Sequence, residues 1–175
     1  MSLIDRLFGV GRRDQIPQKE TQPQLSPEEE KLKSFLLRHI EEIKWLGSLV
    51  NNTKLQEWFL SGDTSYFLDP ENNNLTLGFS RFLNFLIEFY NKYENFLTTD
   101  SYRTLALPLR ALEIIKNISE TKDPQKLVKY LKDNYFGNRD KRIIFLNALK
   151  SIDGRIRNLM SKYGINLPET QQPSE

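Results

Sequence analysis

Residues 75–97 read LTLGFSRFLNFLIEFYNKYENFL, and this stretch decides the fold. Phe79, Phe82, Leu83, Leu86, Phe89, Tyr90, Tyr93 and Leu97 recur at steps of three and four. At about 100° per residue they share one face of a helix, and Phe85, Ile87 and Phe96 widen that face. Arg81, Asn84, Glu88, Asn91, Lys92 and Asn95 are left for the remaining strip. One neighbour cannot cover so broad an apolar arc, so several helices must pack around it. An aromatic arc of this kind either lines a ligand pocket or builds a core, and the core is the commoner use. The expected architecture is all-α: a bundle of about five or six helices around a central aromatic-rich helix.

The flanking sequence supplies the other helices. Upstream, Ser26 is a natural N-cap, Pro27 suits the first helical position, and Glu29 completes a Ser-x-x-Glu capping box. Glu28 to Glu30 sit where the positive end of the helix dipole favours carboxylates, so this acidic run requires no catalytic role. Leu32, Leu36, Ile40, Ile43 and Val50, broadened by Leu37, Leu46 and Leu49, predict one helix ending at Asn51-Asn52. A short segment, Lys54 to Leu60, brings Trp58 and Phe59 as expected core pegs. Ser61 to Asn74 has no clear period, and Tyr66, Phe67 and Leu68 are expected to fold it back onto the bundle. Asp69, Glu71 and Asn73 match positions 1, 3 and 5 of a calcium loop. The match then fails, with Asn74 where glycine is needed and Ser80 where a bidentate Glu belongs. A polar turn before the central helix is the better reading.

Downstream, Thr98, Thr99 and Asp100 offer caps for a helix over Ser101 to Ser119 through Leu105, Leu109, Leu112, Ile115 and Ile118. Pro108 should kink or break it. Asp123-Pro124 repeats the cap-then-proline signal before Lys126 to Phe136, with Leu127, Val128, Leu131 and Tyr135 inward. Gly137 ends that helix and Asn138 caps the next. In Arg139 to Tyr163, Phe145, Leu149, Ile152, Ile156, Leu159 and Tyr163 alternate steps of four and three, the seam of a coiled-coil-like interface. That seam either closes the bundle or pairs with a second copy. Gly154 lies within the helix, where it would permit a close crossing. Gly164 terminates the helix, and Ile165 can fold back over its end. No internal repeat of fixed period emerges.

The 175 residues suit one well-buried domain, and the reading divides the chain into an amphipathic segment (1–13), a Gln- and Pro-rich linker (14–25), a helical domain (26–166) and a disordered tail (167–175). Without cysteine there is no disulfide framework, thiol nucleophile or thiolate metal site. No apolar run approaches the ~20 residues of a membrane span, and no signal-peptide pattern opens the chain. A cytoplasmic location, peripheral to a membrane or within a larger assembly, is therefore the expectation. Catalysis has little to work with. His39 is the sole histidine, set among Phe35, Leu36, Ile40 and Ile43, and the nucleophile elbow, phosphate-gripping glycine loop and dinucleotide fingerprint are absent. A non-enzymatic protein with no cofactor, no metal and no small-molecule substrate is expected.

Two surfaces remain as candidates. Leu3, Ile4, Leu7 and Phe8 form one apolar edge if helical, with Arg12 and Arg13 following. So short a peptide does not hold a helix alone in water and would need a lipid interface, a partner groove or its own core. The leading expectation is an interaction or assembly protein tethered through this segment to a protein partner, to a second copy or to a membrane surface. The second surface is basic. Between Lys122 and Lys162 eleven Lys/Arg face four Asp/Glu, a local +7, which leaves −5 for the rest of the chain. Lys122, Lys126, Lys129 and Lys132 share about a third of one helix's circumference. Arg139, Lys150 and Arg157, with Arg142 nearby, lie opposite the last helix's apolar seam. Two basic helix faces could hold a nucleic-acid phosphate backbone by counterion release, which is the alternative reading.

Overall fold

The structure, a computed structural model, describes residues 24–98 and 107–167. It is an all-α bundle with an aromatic interior, built from α1 (Pro27–Arg38), α2 (Ile40–Val50), α3 (Thr53–Leu60), α4 (Leu77–Thr98), α5 (Leu109–Glu120), α6 (Pro124–Leu131) and α7 (Arg139–Lys162). A single π-turn, Lys132–Phe136, joins α6 to α7. Two compact units divide the chain, residues 1–32 and 33–175.

In the first unit the capping box is fully made. The Ser26 N–H donates to Glu29 Oε1 at 3.0 Å, and the Glu29 N–H donates to Ser26 Oγ at 3.1 Å. The two reciprocal bonds satisfy orphan donors that a helix start would otherwise leave to water. All other elements belong to the second unit.

The single helix expected up to Val50 is interrupted. His39 adopts φ −118°, ψ 31°, ending α1 and opening α2. Its ring lies against Phe35 and Phe85, with centroids 4.7 and 5.2 Å away. α3 starts at Asn52, whose side chain accepts from the Leu55 N–H. Phe59 is buried as expected, but Trp58 is 48% exposed, which corrects its reading as a core peg. In a helix of only two turns Phe59 takes the inward direction, and Trp58, one residue earlier, is carried about 100° around the axis.

The stretch between α3 and α4 is more ordered than its lack of period suggested. Leu68–Asp69 and Asn74–Leu75 form a two-stranded antiparallel hairpin, with Leu68 opposite Leu75 and Asp69 opposite Asn74. Its turn is an Asx arrangement: Asp69 accepts from the Glu71 N–H and from Asn72 Nδ2. Asn73 takes φ +56°, a left-handed conformation that Asn tolerates better than most residues. The carboxylate and amides of the calcium-like pattern thus close a turn, and the described residues contain no metal-ligating cluster. Leu75 belongs to this hairpin, so the central helix begins at Leu77.

The interior forms around α4. Phe79, Phe82, Leu83, Phe85, Leu86, Phe89 and Leu97 are buried. Phe67, delivered by the loop, meets Phe59, Phe79, Phe136 and Phe145 at centroid distances of 4.8–5.7 Å. Trp45 of α2 stacks on Phe79 and Phe82. At the other end Phe35 stacks on Phe85 and meets Phe89 edge-on. The helix breaks at Tyr93, φ −133°, ψ 36°. Beyond the break two end carbonyls find donors outside the helix: Arg155 Nε reaches the Phe96 oxygen at 2.8 Å, and the Leu107 N–H reaches that of Leu97 at 3.0 Å.

Pro108 breaks the chain as expected and stands at the N-cap of α5; the anticipated first turns of that helix, 101–106, lie outside the described residues. Asp123 caps α6 through the Gln125 N–H, and Asn138 caps α7 through the Lys141 N–H. The α7 seam, Phe145, Leu149, Ile152, Ile156, Leu159 and Tyr163, is buried within the chain, against α2 and α5 among others. Its end is a Schellman motif: Ile165 N–H bonds the Met160 carbonyl and Gly164 N–H that of Ser161, with Gly164 at φ +70°. Gly154 marks no close crossing, because nothing lies within 4 Å of where a Cβ would stand. The tight approach to α7 occurs at Gly47 of α2, where a Cβ would collide with the Arg157 guanidinium.

Candidate functional site

The eight basic residues expected to form a nucleic-acid face, on α7, on α6 and just beyond its two ends, divide into two sets. Lys129 Nζ pairs with Asp133 at 2.9 Å, one turn along the chain. Lys132 reaches across to the hairpin turn, donating to Asn73 Oδ1. Nearby, Gln125 Nε2 donates to Asn74 Oδ1 at 2.9 Å, so α6 is stitched to the hairpin by side chains. Arg142 turns inward: its Nη1 donates to the Phe136 carbonyl at 2.6 Å, and its Nε is buried without a hydrogen-bond partner among the described residues. Arg157 Nε straddles both Asp153 oxygens, at 3.1 and 3.0 Å. Arg142 and Arg157 are thus committed to the fold, whereas Lys129 and Lys132 make their bonds at the exposed surface. Lys122, Lys126, Arg139 and Lys150 are exposed, and none pairs with a carboxylate among the described residues.

Asp153 and Arg155 are the buried charged residues of α7. Burial pushes the Asp153 carboxyl above its ordinary pKa, and the neighbouring Arg157 guanidinium only partly offsets that. Arg155, two residues on and about 200° around the helix axis, is bonded to the end of α4 through the Phe96 carbonyl. Neither group lines the two clefts described below. His39 lies 3.4 Å from Glu42 and 3.9 Å from Glu88, at the edge of the aromatic interior. Glu88 is held below the ordinary carboxylate range, chiefly by the hydrogen bond from Lys92 at 2.8 Å. Tyr135 is raised above the usual phenol range by burial, with the adjacent Tyr130 adding to it.

Among the described residues, two concave features open on the second unit. One, about 310 Å³, lies between α5 and α7, with Arg110 and Ala111 on one wall and Ile144, Asn147 and Ser151 on the other. Leu109 beside it is 85% exposed. The other, about 170 Å³, lies between α3 and the following loop and is lined by Leu55, Trp58, Phe59, Asp63, Ser65 and Tyr66. Sequence reasoning missed this second cleft because it assigned Trp58 to the core. The signal was nonetheless present: Lys54 precedes Trp58 by four residues, which places a cation on the same helix face. Its ammonium lies 5.8 Å from the Trp58 ring centroid.

Leu3, Ile4, Leu7, Phe8, Arg12 and Arg13, the expected tether, lie outside the described residues. No helix among the described residues is long and apolar enough to cross a membrane. Comparison with protein-family models, curated proteins and solved structures returns no match, so the functional reading rests on the residues themselves.

Proposed function

We propose that the chain is a non-catalytic interaction protein: a helical bundle carried to its partner by the N-terminal segment Leu3, Ile4, Leu7 and Phe8, with Arg12 and Arg13 beside it. The observation that supports this reading is the completed capping box at Ser26 and Glu29. It starts the first helix by local bonds, so helix initiation makes no demand on the apolar residues upstream. The seam of α7 is likewise occupied inside the chain, against α2 and α5 among others. Full burial of a large apolar side chain contributes about 1.5–3 kcal/mol and partial insertion less, so a single short segment binds weakly. A second signal, the two arginines on an anionic surface or self-association, would raise its avidity.

The test replaces Leu3, Ile4, Leu7 and Phe8 by Ser in the full chain. Co-sedimentation with vesicles of phosphatidylcholine and phosphatidylserine reads lipid attachment, and sedimentation velocity reads self-association. Loss of either activity in the variant supports the tether, and identical behaviour of both proteins in both assays overturns it. The second reading, nucleic-acid binding through the basic helices, is favoured by the four exposed cations Lys122, Lys126, Arg139 and Lys150.

A further inference from the structure

Trp58 is half exposed, and its backbone anchors the loop that follows. Its carbonyl accepts from the Ser61 N–H, the Ser61 hydroxyl and the Asp63 N–H, so the loop 61–63 is wrapped onto the end of α3. Across the cleft, Tyr66 is fixed by stacking on Trp45 at 5.0 Å. Phe59 forms a buried floor. Asp63 is held as firmly: its Oδ1 accepts from the Ser65 N–H at 2.9 Å and the Ser65 hydroxyl at 2.6 Å. That leaves Oδ2 without a hydrogen-bond partner among the described residues. Two aromatic rings, an apolar floor and a fixed carboxylate therefore share one small cleft. At about 170 Å³ it falls below the ~300 Å³ at which small-molecule sites begin, which is room for one side chain.

We propose that this cleft takes an arginine side chain of a partner protein, its guanidinium against Trp58 and Tyr66 and paired with Asp63 Oδ2. Charge complementarity carries the assignment. Ring faces attract cations, and Lys54 already places its ammonium over Trp58. A planar guanidinium can lie flat on a ring and donate in its own plane to Oδ2 at once, a combination that a compact ammonium does not offer. The hydrogen bonds from Ser65 hold the Asp63 carboxyl below its usual range, so the charge is present at neutral pH. Arg142 comes near Gly62 and donates from Nη1 to the Phe136 carbonyl, and Asp63 has no ion-pair partner among the described residues. The inference does not rest on the N-terminal tether.

The test follows the Trp58 indole N–H and the Asp63 and Ser65 amides by NMR in the full chain during titration with a short Gly-Ser peptide bearing one central arginine. The control peptide carries citrulline, which keeps the shape and removes the charge. Saturable shifts of these signals with arginine and none with citrulline are expected. Asp63→Asn keeps an oxygen for Ser65, so the turn survives, and it should weaken the arginine peptide about threefold, as loss of a partly exposed ion pair does. Trp58→Leu, at a half-exposed position, should remove saturation without unfolding the chain. Absence of saturable shifts, equal binding of citrulline, or an Asp63→Asn variant that binds as well as the parent would each overturn the proposal. Shifts produced by a proline-rich peptide but not by the arginine peptide would overturn it in favour of an apolar peptide groove.

Discussion

Gly154 and Gly78 both lie in helices but meet different surroundings, and the difference sets the sign of substitution. At Gly154 a Cβ would meet nothing within 4 Å, and the residue lies in the interior of α7. Gly154→Ala should therefore stabilise the chain by about 0.5–1 kcal/mol, through the backbone freedom it removes from the unfolded state. At Gly78 a Cβ would stand 2.6 Å from Trp45 Nε1. That indole is packed between Tyr66, Phe79 and Phe82 and cannot move aside, so Gly78→Ala should cost about 1–3 kcal/mol. Urea unfolding of both variants checks the pair, and equal effects would refute the packing account. Asp153 gives a prediction of another kind. Its pKa is raised in the fold, so the folded state binds the proton more tightly, and stability falls as pH rises from the unfolded value towards the folded one. Asp153→Asn removes that loss. Relative to the parent the variant should gain stability as pH rises through and above the ordinary carboxylate range, whereas a difference that stays constant with pH would show that burial does not penalise this charge.

At the scale of elements, what was legible in the sequence was what period and caps encode. The face of α4 and the seam of α7 were readable because burial repeats every three or four residues along them. Ser26, Asp123, Asn138 and Gly164 were readable because capping is a bond between near neighbours. What could not be read was set by distant packing. The break at His39 has no glycine or proline to announce it, and its ring is placed by Phe85 some forty-six residues on. The aperiodic loop gave no sign that Phe67 would be a centre of the interior, and the cleft depends on Tyr66 meeting Trp58 from across that loop. The loop is accordingly part of the core in energetic terms. Phe67 is fully buried among Phe59, Phe79, Phe136 and Phe145, so Phe67→Ala should cost about 3–5 kcal/mol, as much as truncating Phe79 of the central helix. Were the loop a mere connection, the same substitution would cost well under 1 kcal/mol. Chemical unfolding of the two single variants decides between these outcomes.

Charge distribution is a property of the whole chain, and local composition misstates it. The +7 of residues 122–162 includes cations with two different occupations. Lys129, Lys132, Arg142 and Arg157 are bonded to the fold, whereas Lys122, Lys126, Arg139 and Lys150 stand in solvent. Reversing the solvent-facing four to Glu takes the formal net charge from +2 to −6. Each of these surface changes should alter stability by no more than about 0.5 kcal/mol. Reversing the other four yields the same formal charge but a different outcome. Arg157→Glu sets a second carboxylate beside the buried Asp153, and Arg142→Glu removes the donor to the Phe136 carbonyl. That chain should lose about 3 kcal/mol or more. The same pair of proteins separates the two functional readings. If the basic helices grip a phosphate backbone, a mixed-sequence oligonucleotide binds the parent at low salt, binding weakens steeply as salt rises, and the solvent-facing variant loses it while remaining folded. If the N-terminal segment is the functional surface, the oligonucleotide is indifferent to all four reversals, and fluorescence anisotropy at two salt concentrations tells which holds. Stability and binding thus report on different cations of one basic sequence, because Arg142 and Arg157 are committed to the fold and the four unpaired cations are not.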